Sequence, residues 1–204
     1  MRDWPESPEP RYPVAVFVDR DGTINVDTHY PHEIEDLHLY PGALEGLRRL
    51  ARLPVHVIVV SNQAGIAHGQ FTRVDMSRFN EELRRSVEAS GGRIDAFYFC
   101  PHKEPHELAP GEEACPCSKP KPGMLLEAAR DFGIDPGRSV MIGDKRSDIL
   151  AGRRAGSSTI LVHTGKAGLE PGGVNVAPDS VADDLAAAAR LVEAHLFAPA
   201  AASG

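Results

Sequence analysis

The sequence has no long apolar run. No segment approaches the roughly 20 consecutive apolar residues that a membrane-spanning helix needs. The first ten residues, MRDWPESPEP, have no apolar stretch of the kind that forms the core of a secretory signal peptide. We therefore expect a cytoplasmic protein that has no membrane partner.

Basic residues are fewer than acidic residues. Lys and Arg number 22 against 29 Asp and Glu, which gives a formal net charge of −7. Such a balance disfavours general binding to nucleic acid or to anionic membranes, although a local basic cluster can still hold a small anion. There are only three cysteines. Because this count is odd, it disfavours a closed disulfide framework.

No internal repeat is visible in the 204 residues, of which 42% are hydrophobic. This length and composition are typical of one globular domain, and we expect it to be monomeric. Residues 1–13 contain four prolines without apolar periodicity, and residues 198–204 are small and featureless. We therefore predict a disordered leader over 1–13, a single domain over 14–197 and a disordered tail over 198–204.

Short apolar runs alternate with longer amphipathic segments along this domain. The runs predict strands and the 3.6-residue periodicity predicts helices. Strands that are apolar throughout are usually buried on both faces, as in a parallel sheet between helices. The prediction is an α/β, three-layer, doubly wound (Rossmann-like) parallel sheet. Strands are predicted at 14–18, 55–60, 96–99, 139–142 and 158–162, and helices at 43–53, 72–90, 123–132, 147–155 and 179–197.

Polar residues follow three of the predicted strands directly. They are Asp19 and Asp21, Ser61 and Asn62, and Asp144. Ligands of open parallel sheets bind beyond the carboxyl ends of the strands, so these residues should meet at one edge. Each has a simpler interpretation, such as a helix cap at Asp144 or a turn at Ser61. Together, however, gathered carboxylates favour a hard divalent cation such as Mg²⁺.

The same residue types fit phosphoryl transfer. An aspartate such as Asp19 can attack phosphorus, and a second acid two residues later, Asp21, can move the protons. A hydroxyl and a lysine can hold the remaining phosphoryl oxygens while charge develops. The sequence offers Ser61 and Lys119 for these two roles.

All three cysteines lie in one segment, 100–117. Cys100 and His102 are followed by Cys115 and Cys117, which makes a four-ligand set suited to tetrahedral Zn²⁺. Four protein ligands leave no open position, so the zinc would be structural. The alternatives are three free thiols beside a surface histidine, or a Cys115–Cys117 disulfide that leaves Cys100 unpaired.

Seven longer segments stand out over about residues 14–168. They are Asp19-Arg20-Asp21-Gly22-Thr23-Ile24-Asn25-Val26-Asp27, Tyr30-x-His32, Ser61-Asn62-Gln63-Ala64-Gly65-Ile66-Ala67, Cys100-Pro101-His102, Lys119-Pro120-x-Pro122-Gly123-Met124, Gly143-Asp144-x-x-x-Asp148 and Thr164-Gly165-Lys166. The segments that begin at Asp19, Ser61, Lys119 and Gly143 resemble, in this order, the four motifs of the haloacid dehalogenase (HAD) superfamily of phosphohydrolases. Taken together, the segments resemble those of the D,D-heptose 1,7-bisphosphate phosphatases and their histidinol-phosphate phosphatase relatives.

The resemblance implies a Mg²⁺-dependent phosphoric monoester hydrolase with a zinc-binding loop at 100–117 and no large cap domain. Asp19 would be the nucleophile and a Mg²⁺ ligand, and Asp21 the acid/base with its main-chain carbonyl on the metal. Asp144 would complete the Mg²⁺ ligands, with Lys145 and Asp148 in support. Ser61 and Asn62 would contact the phosphoryl group and Lys119 would neutralise it. The candidate substrate contacts are Asn62, Asp27, Tyr30, His32, His68, Ser118 and Lys145.

Two positions depart from the heptose-enzyme pattern. Ser118 and His68 stand where those enzymes commonly have arginine. Arginine binds phosphate bidentately, and neither serine nor neutral histidine replaces it. The leading prediction remains hydrolysis of the 7-phosphate of D-glycero-D-manno-heptose 1,7-bisphosphate, with histidinol phosphate or another small phosphoester as alternatives. A non-catalytic, zinc-stabilised binding module is the alternative of another class, and the presence of Asp19, Asp21, Lys119 and Asp144 argues against it.

Overall fold

The computed structural model describes residues 2–3, 11–170 and 176–197. Most of the predicted leader and the whole predicted tail lie outside the described residues. Within the leader, Arg2–Asp3 forms a short strand, β1, that the sequence did not predict. It pairs antiparallel with the edge of the sheet, where Arg2 is opposite Tyr98.

The core of the molecule is one sheet, to which the described residues contribute seven strands. Six of these strands are parallel, and β1 at the edge runs the other way. The order across the sheet is β1-β4-β3-β2-β5-β6-β7. The doubly wound parallel sheet is therefore confirmed. The remaining strands are β2 (Ala15–Val18), β3 (His56–Asn62), β4 (Ala96–Cys100), β5 (Val140–Gly143), β6 (Ser158–Val162) and β7 (Ser180–Ala182).

Helices pack on both faces of the sheet, because strands with apolar side chains on both faces must be shielded from water on each face. The helices are α1 (Ala43–Leu50), α2 (Arg73–Ala89), α3 (Gly123–Phe132), α4 (Arg146–Ala155) and α5 (Leu185–Phe197). On one face α1, α2 and α5 pack through residues such as Leu47, Leu83 and Val192. On the other face α3 and α4 pack through Leu125 and Ala151. In the described part of the chain, no helix is long and apolar enough to cross a membrane.

The prediction of one helix over 179–197 is wrong at its beginning. Residues 180–182 form the edge strand β7, which pairs in parallel with β6. Asp179 fixes this pairing, because its Oδ2 accepts hydrogen bonds from the backbone and the hydroxyl of Thr159. The helix begins only after Asp184, whose carboxylate accepts from the backbone of Ala187.

The direction of winding reverses between β2 and β5. Val18 lies opposite Ile142, and the backbone N–H of Asp19 donates to the carbonyl of Ile142 at 2.9 Å. Crevices at such a reversal are the usual ligand sites of open α/β sheets. The long segments 20–40 and 101–122 contain only the short 3-10 turns Ile34–Asp36 and Pro105–Glu107 as helical structure, so neither forms a large cap.

Candidate active site

Three carboxylates meet at the reversal. Asp19 follows β2, Asp144 follows β5, and Asp148 lies in the first turn of α4. Each is at most 3% exposed, and one oxygen from each lies within 4.8 Å of the others. Oδ1 of Asp144 is buried and has no hydrogen-bond partner. Three buried carboxylates with an oxygen left unpaired are an environment that a hard cation would satisfy.

Lys119 links two of these carboxylates from the other side. Its ammonium lies 2.6 Å from Oδ1 of Asp19 and 2.6 Å from Oδ1 of Asp148. It also donates to the carbonyl of Val60 at 2.9 Å. Burial opposes its charge, but the two carboxylates outweigh burial and raise the pKa of Lys119 above its ordinary value. The lysine is therefore a fixed positive charge beside Asp19.

The charges of Lys119 and Lys145 together do not balance the three carboxylates. Burial raises the pKa of Asp19 to about 6, against the attraction of Lys119. Burial, together with the charges of Asp19 and Asp148, raises the pKa of Asp144 to about 8. Both shifts show that the cluster holds more negative charge than its protein surroundings stabilise.

Asp21 is surrounded by donors that the sequence interpretation did not assign. The guanidinium of Arg20 donates from Nε to Oδ1 at 2.9 Å and from Nη2 to Oδ2 at 2.7 Å. Nε2 of Gln63 donates to Oδ2 at 2.9 Å. Both residues lie inside quoted motifs, but sequence spacing could not show that Gln63 reaches Asp21.

The hydroxyl of Ser61 and the amide of Asn62 lie at the end of β3. Oγ of Ser61 accepts a hydrogen bond from Gln63 at 2.7 Å. The side chain of Asn62 makes two hydrogen bonds with the backbone of Lys119. Its Oδ1 accepts from the Lys119 N–H at 3.0 Å, and its Nδ2 donates to the Lys119 carbonyl at 3.1 Å. Asn62 therefore fixes the position of the Lys119 backbone.

A cavity of about 630 Å³ opens above these groups. It brings together eight of the predicted site residues: Asp19, Asp21, Asp27, Tyr30, Ser61, Asn62, Lys119 and Lys145. Eight polar lining residues were not predicted: His29, Gln63, Glu104, His106, Glu107, Ser147, Lys166 and Glu170. Lys145 also lies 3.6 Å from Asp27 across the cavity rim. The mixed charge suits a polar ligand.

Three predicted substrate contacts do not line this cavity. His32 is stacked on Phe71, with ring centroids 4.8 Å apart. His68 lies 2.9 Å from the carboxylate of Glu107. Ser118 is 0% exposed. Contact of these three residues with a substrate stays a prediction.

The four predicted zinc ligands converge in the loop beside Lys119. Their ligand atoms lie within 4.8 Å of one another. Sγ of Cys117 is 2.9 Å from Cys100 and 2.8 Å from Cys115, longer than the roughly 2.05 Å of a disulfide bond. The hydrogen bond from Cys117 lowers the pKa of Cys100 to about 6, and the same bond raises that of Cys117. Such a cluster of thiols and an imidazole fits Zn²⁺.

Comparison with known proteins agrees with this geometry. A HAD-hydrolase-like family model matches residues 116–188. The D-glycero-beta-D-manno-heptose-1,7-bisphosphate 7-phosphatase of Pasteurella multocida is 41% identical over 174 residues, which cover 83% of this chain and 93% of that protein. The corresponding enzyme of Escherichia coli K12 is 40% identical over 153 residues, covering 74% and 80% of the two chains.

A solved structure extends the similarity to three dimensions. The D,D-heptose 1,7-bisphosphate phosphatase of B. bronchiseptica, crystallised with magnesium and phosphate, matches with a TM-score of 0.76 and 30% identity. The match covers 88% of this chain and 97% of that one. Because fold, motif order and near-full-length similarity agree, the chain belongs to the D,D-heptose 1,7-bisphosphate phosphatase family of the HAD superfamily of hydrolases.

Proposed function

We propose that this chain is a Mg²⁺-dependent phosphatase of the single domain 14–197 that removes the 7-phosphate from D-glycero-D-manno-heptose 1,7-bisphosphate. The observation that carries the proposal is the buried cluster of Asp19, Asp144 and Asp148 bridged by Lys119. The names of the relatives supply the substrate, a phosphorylated sugar. The cavity above the cluster is large enough and polar enough for such a molecule.

The residues present fit magnesium. Asp19, Asp144 and the main-chain carbonyl of Asp21 would hold it, with Asp148 close by. When bound, the ion would neutralise the surplus negative charge of the cluster and of the phosphoryl group. The unpaired Oδ1 of Asp144 supports this assignment, because a buried carboxylate oxygen needs a partner.

The proposed chemistry has two steps. In the first, a carboxylate oxygen of Asp19 attacks phosphorus, the phosphorus–oxygen bond to the sugar breaks, and Asp21 gives its proton to the leaving oxygen. In the second, water attacks the phosphorus of the aspartyl-phosphate and gives its proton to Asp21, which frees Asp19 and releases phosphate. Lys119 and Ser61 would hold phosphoryl oxygens as charge develops.

Zinc would order the loop that leads to Lys119. Cys117 is two residues before Lys119, and Cys100 ends β4. A closed set of three thiolates and one imidazole would join these points and fix the intervening chain. The zinc would therefore be structural and the magnesium catalytic.

The substitution Asp19→Asn tests the covalent mechanism. It keeps the shape of the side chain and removes the attacking anion, so kcat should fall by about a thousandfold or more. Phosphate release from heptose bisphosphate, histidinol phosphate and simple sugar phosphates would be measured for both proteins. If the variant, with deamidation excluded, retained more than a few per cent of activity, Asp19 would not be the nucleophile. If the wild type released no phosphate, the binding-module alternative would stand.

A matched pair of histidine variants tests the zinc. His102→Ala removes a proposed ligand, whereas His106→Ala removes a histidine of the same loop that is outside the cluster. Elemental analysis should find about one zinc per chain in the wild type and in His106→Ala, and a large loss in His102→Ala. Equal zinc content in all three proteins would show that His102 is not a ligand.

A further inference from the structure

The acid/base candidate Asp21 is held by two residues that have no assigned role. We propose that Gln63 and Arg20 are positioning residues that fix the carboxyl group of Asp21 and leave its Oδ1 as the oxygen that transfers the proton. The inference rests on the proposed function, since it concerns the proton-transfer step of that reaction.

Arg20 is itself held rigidly. Its side chain is only 1% exposed, and Nη1 donates to Oδ1 of Asn80 at 3.0 Å. Nη2 donates to the carbonyl of Pro31 at 3.1 Å, and the guanidinium carbon lies 4.6 Å from the ring centroid of Phe79. These contacts tie Arg20 to α2 and to the segment that covers the cavity. Because the guanidinium is held in place, its two hydrogen bonds to Asp21 fix the orientation of that carboxyl group.

Gln63 connects Asp21 to the phosphoryl-binding end of the site. Its single nitrogen Nε2 donates both to Oδ2 of Asp21, at 2.9 Å, and to Oγ of Ser61, at 2.7 Å. An amide nitrogen carries two hydrogens, so both are used. The backbone N–H of Gln63 donates to the carbonyl of Cys100 at 2.8 Å, which fixes the residue itself. Gln63 thus sets the distance between the hydroxyl of Ser61 and the carboxyl of Asp21.

The two oxygens of Asp21 are consequently not equivalent. Oδ2 accepts from two donors, Nη2 of Arg20 and Nε2 of Gln63, whereas Oδ1 accepts only from Nε of Arg20. A carboxylate oxygen has about two acceptor sites, so Oδ2 is saturated and Oδ1 keeps one site. Because Asp21 lines the cavity, the remaining site on Oδ1 is the one that can exchange a proton with the substrate. Loss of Gln63 would leave Oδ2 with one donor, Nη2 of Arg20, and would open an acceptor site on Oδ2, so the proton would no longer be confined to Oδ1.

Gln63→Met tests this role through the leaving group. The substitution keeps the length of the side chain and removes both donors. An alkyl leaving group, such as that of a sugar phosphate, needs a proton as its bond breaks, whereas p-nitrophenolate needs little help. The ratio kcat/KM reports the first phosphoryl transfer. It should therefore fall about a hundredfold for the sugar phosphate and less than about threefold for p-nitrophenyl phosphate.

Two further variants keep the test decisive. Gln70→Met is the matched control, since Gln70 is exposed in the same loop and does not line the cavity, and both substrates should be unaffected. If Gln63→Met folds poorly, Arg20→Lys takes its place in the test. We expect Arg20→Lys to lower kcat/KM more for the sugar phosphate than for p-nitrophenyl phosphate. An equal fall for both substrates, with the wild-type melting temperature, would overturn the inference. A wild type inactive on both substrates would instead refute the proposed function.

Discussion

At the scale of single residues, one wall of the cavity is formed by Glu104 and Glu107 and carries negative charge. His68 is paired with Glu107, and the hydroxyl of Tyr30 donates to the same carboxylate at 3.4 Å. Glu107 and Glu104 both line the cavity, so this wall brings negative charge towards the ligand. Three lysines line the cavity, and two of them, Lys119 and Lys145, already face carboxylates, so Lys166 is the remaining lysine for a second phosphate. Selectivity for a second phosphate should therefore be weak in this chain.

A change at position 68 tests this expectation. His68→Arg places a permanent charge beside Glu107, and combining it with Glu107→Gln frees that charge for the ligand. A charged hydrogen bond is worth roughly 1.5–3 kcal/mol when formed, and less where water screens it. We expect the double variant to raise kcat/KM about tenfold for heptose 1,7-bisphosphate and to leave the 7-monophosphate nearly unchanged.

The monophosphate is the internal control for that comparison. Equal changes for both substrates would show that position 68 does not sense the second phosphate. Ser118→Arg is a poorer test, because Ser118 is fully buried and an arginine there would disturb the packing before it reached a ligand.

At the scale of elements, the turn that follows β2 is as constrained as the carboxylates themselves. Gly22 has φ +102°, a conformation that favours glycine. A Cβ at this position would overlap the carboxylate of Asp144. The turn therefore packs directly against a proposed metal ligand, and its lack of a side chain is a requirement of the site.

A pair of glycine substitutions separates backbone strain from this crowding. Gly156 ends α4 with φ +90°, and nothing lies within 4 Å of a Cβ built there. Gly156→Ala should cost about 1–2 kcal/mol of unfolding free energy and preserve Mg²⁺ dependence. Gly22→Ala should cost more and raise the Mg²⁺ concentration needed for half-maximal activity by about tenfold or more. Unchanged Mg²⁺ dependence in folded Gly22→Ala would show that Asp144 does not hold the metal.

At the scale of the whole molecule, the carboxylate cluster links stability to pH and magnesium. The pKa values of Asp19 and Asp144, about 6 and about 8, lie above their ordinary value of 3.8. The folded state therefore binds these protons more tightly than the unfolded chain does. Without metal, stability should fall as the pH rises from about 4 to about 8, where the folded state must bear the charges.

Magnesium should reverse that loss, because it replaces the protons on the same oxygens. We expect the rise in melting temperature caused by Mg²⁺ to be small near pH 5 and largest near pH 8. Thermal denaturation in magnesium-free and magnesium-containing buffers measures it directly, and Asp144→Asn serves as the control with a weakened response. A magnesium effect independent of pH would contradict the proposed ligands.

The sequence was most informative where a short apolar run met polar residues. Asp19, Ser61 and Asp144 could be placed at one edge because parallel strands share their carboxyl ends. The four zinc ligands could be grouped because they lie in one short segment. Strand β7 was missed because two of its three residues are exposed and carry no apolar pattern. The roles of Arg20 and Gln63 depend on partners up to 60 residues away, which spacing does not reveal.

The pairing of β5 with β2 has a consequence for folding during synthesis on the ribosome. Until residue 143 has left the ribosome, β2 can pair with β3 but not with β5. The partly synthesised sheet therefore has an unpaired edge strand of apolar residues. Such edges invite pairing with other chains, so the nascent protein is most prone to aggregation during this interval. Lys119 and Asp19, 100 residues apart, meet beside Asp148, which emerges later still. Recovered enzyme activity would therefore report that β5 and α4 have joined β2.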